Sequence, residues 1–342
     1  MPRRTKRHPL PKNYGYVPDP AHSEKRHGLS RSIWGDDPFK DLPRDLNRSA
    51  FPYRALAFGL RSNPKYTRAS GQRVWLLALS QGNHGSCVGW GEARKIAITL
   101  AAGHFMRGLD LTWPTASGKP VSVSPSFCYG ASREWNRGSW EGSNGSWAAK
   151  ATQELGFLVE KRYSGSDLSR YRTDDCNTWE ARGVPRGLLQ YADDSVLRGY
   201  ARVRDCESLA AALQNGYAAN VCGSRAPGKS TRDEYGAIAL TGRWAHSQAV
   251  IGYIVYHVGR GKYKRFFIIL NSHGSNRYKG PTGKQTPDLP GGAYLVSWNY
   301  MQRLLNERDT WVNFDLHGLE PASRNWKRSA KRIMGDFYAL SS

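Results

Sequence analysis

Helix-forming and strand-forming patterns are segregated along this chain, and that order restricts its architecture more than any single motif does. After Cys87, the stretch to about Ala102 places Ala93, Ile96, Ala97 and Leu100 at helical spacing, with Glu92, Arg94 and Lys95 on another face. So few charges predict a largely buried helix. Ser124-Pro125-Ser126 predicts a second helix start, because proline at the first helical position loses no hydrogen bond, and this helix leads through Phe127-Cys128-Tyr129 towards Trp135. A third helix is predicted over 146–155, stopped by Gly156 as a left-handed cap. Residues 157–205 mix Gly, Pro, Asp, Arg and Tyr and predict loops and short strands. Beyond them come a short helix over 207–216, ending at its glycine, and strand-like runs at 218–222, 248–257, 266–270 and 293–298. Helices first and strands second predict an α+β protein of two unlike lobes, not an alternating α/β sheet.

The chain has 342 residues, 39% of them hydrophobic, which excludes a disordered protein and allows one large domain or two ordinary ones. Its charge is unusual: 50 Lys and Arg against 28 Asp and Glu give +22. That balance suits nucleic acid, an acidic protein surface or anionic lipid as partner, although no single dense basic block carries it. Residues 1–70 read as a basic N-terminal arm, extended or partly ordered, with basic and aromatic residues side by side in Lys12-Asn13-Tyr14-Gly15-Tyr16. It serves either as a docking or nucleic-acid-binding arm or as a solvated tail draped over the domain. The main domain is expected over 71–318, divided into a helical lobe (about 81–205) and a β lobe (about 206–318). The remainder, 319–342, is a basic amphipathic segment with Trp326, Ala330, Ile333 and Phe337 on one helical face, suited to packing on its own domain or to an acidic partner or lipid surface. Gly259-Arg260-Gly261-Lys262 reads as a turn, since a phosphate loop needs a helix behind it. Five dispersed cysteines without a C-x-x-C pair argue against a disulfide scaffold or a cysteine-based zinc site and for a reducing compartment. The basic N-terminus lacks the apolar run of a secretory signal, and no stretch reaches bilayer-spanning length.

Chemistry concentrates at Gln81-Gly82-Asn83-His84-Gly85-Ser86-Cys87-Val88-Gly89-Trp90, where a thiol sits at a helix N-terminus. Unpaired N–H groups and the positive end of the helix dipole favour thiolate there. A lone cysteine is more often a small core residue, so its surroundings decide. Acyl transfer by a thiol needs a base, a group that orients the base and donors for the oxyanion. Trp244-Ala245-His246-Ser247-Gln248 supplies a histidine at the start of a strand, and Leu270-Asn271-Ser272-His273-Gly274 an asparagine at the end of the next. If those strands pair, both residues lie at one edge of the sheet.

These segments resemble the papain-like cysteine proteases. The family places Gln six residues before the catalytic Cys in Gly-Ser-Cys, as in Gln81 to Cys87; the base in a His-Ala-Val-like strand, as in His246 to Tyr253; and the orienting residue in Asn-Ser-Trp-Gly, as in Asn271-Ser272-His273-Gly274. Gly142-Ser143-Asn144-Gly145-Ser146 and Gly156 to Tyr163 resemble its Gly-Cys-Asn-Gly-Gly loop and its Glu-x-x-Tyr run, so the likeness covers about 75–300. The resemblance implies a two-lobed papain-like fold with the cleft between the lobes, and a cysteine-type peptidase acting on protein or peptide with no metal and no organic cofactor. It makes Cys87 the nucleophile, His246 the base, Asn271 its orienter and Gln81 an oxyanion donor, with Gly145, Ser146 and Ala245 lining the extended peptide. Val88 and His273 stand where the family has tryptophans, the second of which shields the His and Asn pair. His84 and Ser143 stand where it has a disulfide. Such disulfide-poor domains occur in bacteria and their phages, so the cytoplasm or a phage virion is the expected location. Two other readings stay open: a catalytically weak or silent binding or structural protein on the same fold, suggested by the +22 charge and His273, and an acyl transferase or amidase using the same triad.

Overall fold

The computed structural model describes residues 39, 42, 44–53, 80–106, 122–138, 140–193, 197–228, 232–273, 289 and 291–316. Most of the basic arm, the start of the main domain over 71–79 and the C-terminal amphipathic segment lie outside the described residues.

The helical half opens with α1 (Cys87–Met106), α2 (Pro125–Ser132) and α3 (Gly145–Glu154). Local chemistry sets these starts: Phe127 N–H donates to Ser124 Oγ at 3.3 Å ahead of Pro125, and Trp147 N–H donates to Asn144 Oδ1 at 2.9 Å. Helix α3 ends at Leu155, and Gly156 follows at φ +79°, where a Cβ would lie 2.0 Å from Ala192 O.

The stretch 157–205 holds more helix than its composition predicts. After a small hairpin of β1 (Arg162–Tyr163) and β2 (Ser166–Asp167) come α4 (Thr173–Arg182), α5 (Arg186–Ala192) and β3 (Leu197–Arg202). Helix α4 buries only Cys176, Trp179 and Glu180, a stripe too narrow to show as hydrophobic periodicity. Its signature is electrostatic instead: Asp174 and Asp175 in the first turn, Arg182 in the last.

The second half contributes α6 (Cys206–Gln214), β4 (Ala219–Ala226), β5 (Gly242–His257), β6 (Tyr263–Leu270), β7 (Ala293–Ser297), α7 (Trp298–Leu305) and β8 (Thr310–Leu316). Strand β7 stops one residue before the expected Trp298, because Met301, Leu304 and Leu305 turn inward at helical spacing. The sheet is six-stranded and antiparallel between all neighbours, in the order β3-β8-β4-β5-β6-β7. One edge strand, β3, therefore comes from before the expected lobe boundary at about 205. The architecture is α+β, as the order of patterns predicts.

Alternation along β5 sends Val250 and Tyr253 into a core with Leu209 of α6 and Met301 of α7, and Ile251 and Ile254 into a second core with Ile98 of α1. Helix α1 thus covers one face of the sheet, and α6 with α7 the other. Part of the expected arm is tied down: Ala50 and Tyr253 exchange backbone hydrogen bonds of 2.8 Å at a bulge in β5. Among the described residues no helix is long and apolar enough to cross a membrane.

Gly89 sits where α1 crosses α2: a Cβ there would lie 2.4 Å from Pro125 O and 2.6 Å from Tyr129 Cβ. Alanine favours an isolated helix over glycine by about 1 kcal/mol. Gly89→Ala is nevertheless expected to destabilise the protein by about 1–3 kcal/mol through overpacking, read as a lower urea midpoint with an unchanged slope.

Candidate active site

Strand register brings the predicted base and its orienter together. Ala249 pairs with Leu270 across β5 and β6. Continuing that register towards the start of β5 sets His246 opposite His273, with Asn271 just beyond the end of β6. His246 Nε2 lies 2.8 Å from Asn271 Oδ1, and both side chains are buried. Ser272 N–H also donates to Asn271 Oδ1, at 2.7 Å. A backbone N–H only donates, so that amide atom is the oxygen and His246 Nε2 must carry the hydrogen. Neutral His246 therefore keeps its lone pair on Nδ1, the tautomer a general base requires.

His273 stacks on His246 with ring centroids 4.5 Å apart and planes 15° apart. The indole its position lacks is supplied from β5: Trp244, buried, lies 4.5 Å from the His246 ring and 6.2 Å from His273. The sequence placed Trp244 two residues before His246 but carried no sign that its ring would flank the base. Trp244 and His273 together flank the His246 ring.

Cys87 begins α1 and is fully buried. Its sulfur is met by the backbone N–H groups of Ser247, Val88 and Cys87 itself, so helix α1 and the peptide that joins His246 to Ser247 converge on the thiol. Burial pushes the thiol well above its ordinary range, and those three N–H groups pull the other way without overcoming it. A lone thiolate is consequently disfavoured. Nucleophilicity requires the proton to pass to an imidazole, because an ion pair is neutral as a whole.

Gln81 is buried with its amide fixed from both ends: Nε2 donates to His84 O at 2.9 Å, and Oε1 accepts from Ser272 Oγ at 2.6 Å. Ser272 O in turn accepts from Gln81 N–H at 3.0 Å, so the Gln81 turn is bolted to the residue after Asn271. His84 and Ser143, the positions of the family disulfide, are both buried in a polar cluster. The His84 ring lies edge-on to Tyr129 at 5.3 Å, with Nε2 3.4 Å from Glu180 Oε2. Tyr129 OH donates to Glu180 Oε2 at 2.8 Å and accepts from Gly142 N–H at 2.9 Å. Ser132 Oγ donates to Ser143 Oγ at 2.8 Å, and Gly85 N–H donates to Glu141 Oε2 at 2.9 Å. Loops 81–86 and 141–145 are joined through Glu141, Glu180 and Tyr129, residues the sequence did not single out. All five cysteines are buried, unpaired thiols.

Gly145 and Ser146, which the resemblance puts on the peptide-binding edge, turn their N–H groups inward. Their N–H groups donate to Asp309 Oδ2 at 2.9 Å and Asp309 Oδ1 at 3.0 Å, and Trp311 Nε1 adds a third hydrogen bond to that carboxylate at 2.6 Å. Asp309, buried just before β8, closes the N-terminus of α3 and occupies both N–H groups. Ala245 is half-buried and packs against the cluster of Cys87, Val88, Ala148 and Cys222.

No protein-family model matches this chain, and no curated protein matches its sequence. Its structure is similar to that of xylellain, a cysteine protease from Xylella fastidiosa, at 18% identity and a TM-score of 0.48, over 93% of this chain and 99% of that one. It is also similar to procathepsin L 3 of the Tenebrio molitor larval midgut, at 17% identity and a TM-score of 0.43, over 85% and 79% of the two chains. A third similar structure is the proform of Amb a 11, a cysteine protease and ragweed pollen allergen, at 12% identity and a TM-score of 0.47, over 90% and 77%.

If His246 takes the Cys87 proton, iodoacetamide is expected to alkylate Cys87 at pH 6–7, below the ordinary thiol range of about 8.5. With the thiol pushed up by burial, His246→Ala should confine that reaction to alkaline pH and slow it at pH 7 by at least about 100-fold. Mass spectrometry of the modified peptide across pH measures both.

Proposed function

We propose that this chain is a cysteine peptidase of the papain-like type, cleaving peptide bonds in a protein or peptide substrate. The observation that carries this reading is the buried hydrogen bond between His246 and Asn271, which fixes the imidazole with Nδ1 as its basic atom beside the backbone that meets the Cys87 sulfur. Cys87 attacks the scissile carbonyl carbon after its proton passes to His246, and the negative charge moves onto the carbonyl oxygen. The Gln81 amide, held by Ser272 and His84, and the N–H groups at the start of α1 are the donors suited to that oxygen. His246 then protonates the leaving amine, and water hydrolyses the thioester with His246 again as base. The buried setting strengthens each of these electrostatic interactions.

Capture of the Gly145 and Ser146 N–H groups by Asp309 favours a second reading, a binding protein on this fold with no turnover. The two separate on Cys87→Ala: a peptidase loses its activity, and a binding protein keeps its biological function.

On a panel of fluorogenic peptides, Cys87→Ala is expected to abolish hydrolysis while leaving the circular dichroism spectrum unchanged. Gln81→Ala should lower kcat by about 10²–10³ with little change in KM, the pattern of a donor engaged in the transition state. Equal turnover by wild type and Cys87→Ala overturns the reading.

A further inference from the structure

Behind the Cys87 and His246 region lies a charged network that none of the chemistry above uses. Glu92 and Lys95, on α1, are both fully buried, with Glu92 Oε1 2.6 Å from Lys95 Nζ. Thr152 Oγ1 of α3 donates to the same carboxylate oxygen at 2.7 Å, and Asn220 Nδ2 of β4 donates to Oε2 at 3.3 Å. Asn220 Oδ1 then accepts from Ser247 Oγ of β5 at 2.6 Å. Lys95 Nζ also donates to Asn313 Oδ1 of β8. Burial pushes the Lys95 ammonium down, and the Glu92 carboxylate opposes that shift. The neighbouring titratable groups are the buried thiols of Cys128 on α2 and Cys222 on β4.

A fully buried ion pair is poor evidence for stability, because an apolar pair of similar volume often does as well or better. Its distinctive property is direction. The Glu92 carboxylate only accepts, so it turns the Asn220 NH₂ towards itself and the Asn220 oxygen towards β5. That oxygen only accepts, so the Ser247 hydroxyl must donate to it. Ser247 is also the residue whose backbone N–H meets the Cys87 sulfur, and it follows His246 directly. Helix α1 is shaped for this contact: a Cβ at Gly91 would lie 2.4 Å from Asn220 Oδ1 and 2.8 Å from Ser247 Oγ. Cys87, Gly91 and Lys95 recur every four residues and so share one helical face, which puts nucleophile, contact point and anchor in line.

We propose that Glu92, Lys95, Asn220 and Ser247 form a positioning relay that clamps β5 onto α1, holding the His246–Ser247 peptide against the Cys87 thiol. The proposal rests on Cys87 and His246 acting as nucleophile and base. It treats Asn220 and Ser247 as positioning residues, acting through backbone placement and touching no substrate.

The test compares wild type with Ser247→Ala, Ser247→Thr and the double variant Glu92→Met with Lys95→Met, each checked for folding by thermal melting. Ser247→Ala removes the last link and leaves a residue that fits. The apolar double variant removes the charges without stranding one. Both are expected to slow iodoacetamide alkylation of Cys87 at pH 7 and to lower kcat by at least about tenfold with KM little changed, since small misplacements of reacting groups are expensive. Their alkylation profiles should move to higher pH while their melting temperatures stay within a few degrees of wild type or rise. Ser247→Thr, which keeps the hydroxyl, should restore the wild-type profile. Wild-type alkylation profiles and kcat in folded Ser247→Ala and in the double variant overturn the relay. If wild type itself shows no His246-dependent alkylation and no peptide hydrolysis, the peptidase reading falls, and the relay with it.

Discussion

Burial of helix α1 over nearly all of residues 87–102 is the constraint on which the rest of the structure depends. A helix that meets protein all round must present a different surface to each neighbour. Gly89 receives the backbone of α2, and Gly91 receives Asn220 and Ser247 of the sheet. Ala93, Ile96, Ala97 and Leu100 pack with Val123, Cys128 and Phe157, while Ile98 and Ala101 join the sheet core with Ile251 and Ile268. The nucleophile candidate begins this helix, so its position is fixed by two close-packed interfaces before any polar contact is considered. Interiors packed this densely have little compliance, which suits a site that needs its groups within fractions of an ångström.

The polar contacts divide the remaining work. Ser272 ties the end of β6 to the Gln81 turn, so the residue that follows the orienting asparagine also holds the candidate oxyanion donor. Glu141 reaches Gly85, and Glu180 draws in Tyr129 and His84, so two loops that a disulfide would join covalently are joined by carboxylates. These substitutes differ in kind. A disulfide restrains the unfolded chain as well as the native one, whereas buried hydrogen bonds act only once the loops have met, and they need every donor and acceptor in place.

Elements whose pattern is local were legible in the sequence. Ser124 before Pro125 and the glycines after α3 and α6 are signals that act within a few residues, and they mark helix ends close to those observed. The apolar, β-branched and aromatic runs of β5 and β6 were equally plain, and their pairing brings His246 to Asn271. Helices α4 and α7 were not legible, because one buries a stripe of three residues and the other begins with a tryptophan that continues a strand pattern. Strand β8 gave no warning either: its place between β3 and β4 is decided by partners about a hundred residues away. The site divides along the same line. Cys87, His246, Asn271 and Gln81 stand in recognisable local strings, whereas Trp244, Glu180, Asn220 and Asp309 acquire their neighbours only through folding.

Asp309 shows how such a distant residue changes the meaning of a local one. Read by themselves, Gly145 and Ser146 are small residues at the open start of a helix, with N–H groups pointing outward. A carboxylate delivered by the turn before β8 takes both, along with the Trp311 indole N–H. Its charge also suits the positive end of α3, so the capture is favoured electrostatically as well as by hydrogen bonding. A Cβ at Gly145 would lie 2.8 Å from Asp309 Oδ1 and 3.0 Å from Cys222 Sγ, so the glycine belongs to this internal contact. Because Cys222 also packs with Cys87, the Asp309 contact and the thiol share one wall of the core. Asp309 is thereby part of what holds α3 to the sheet.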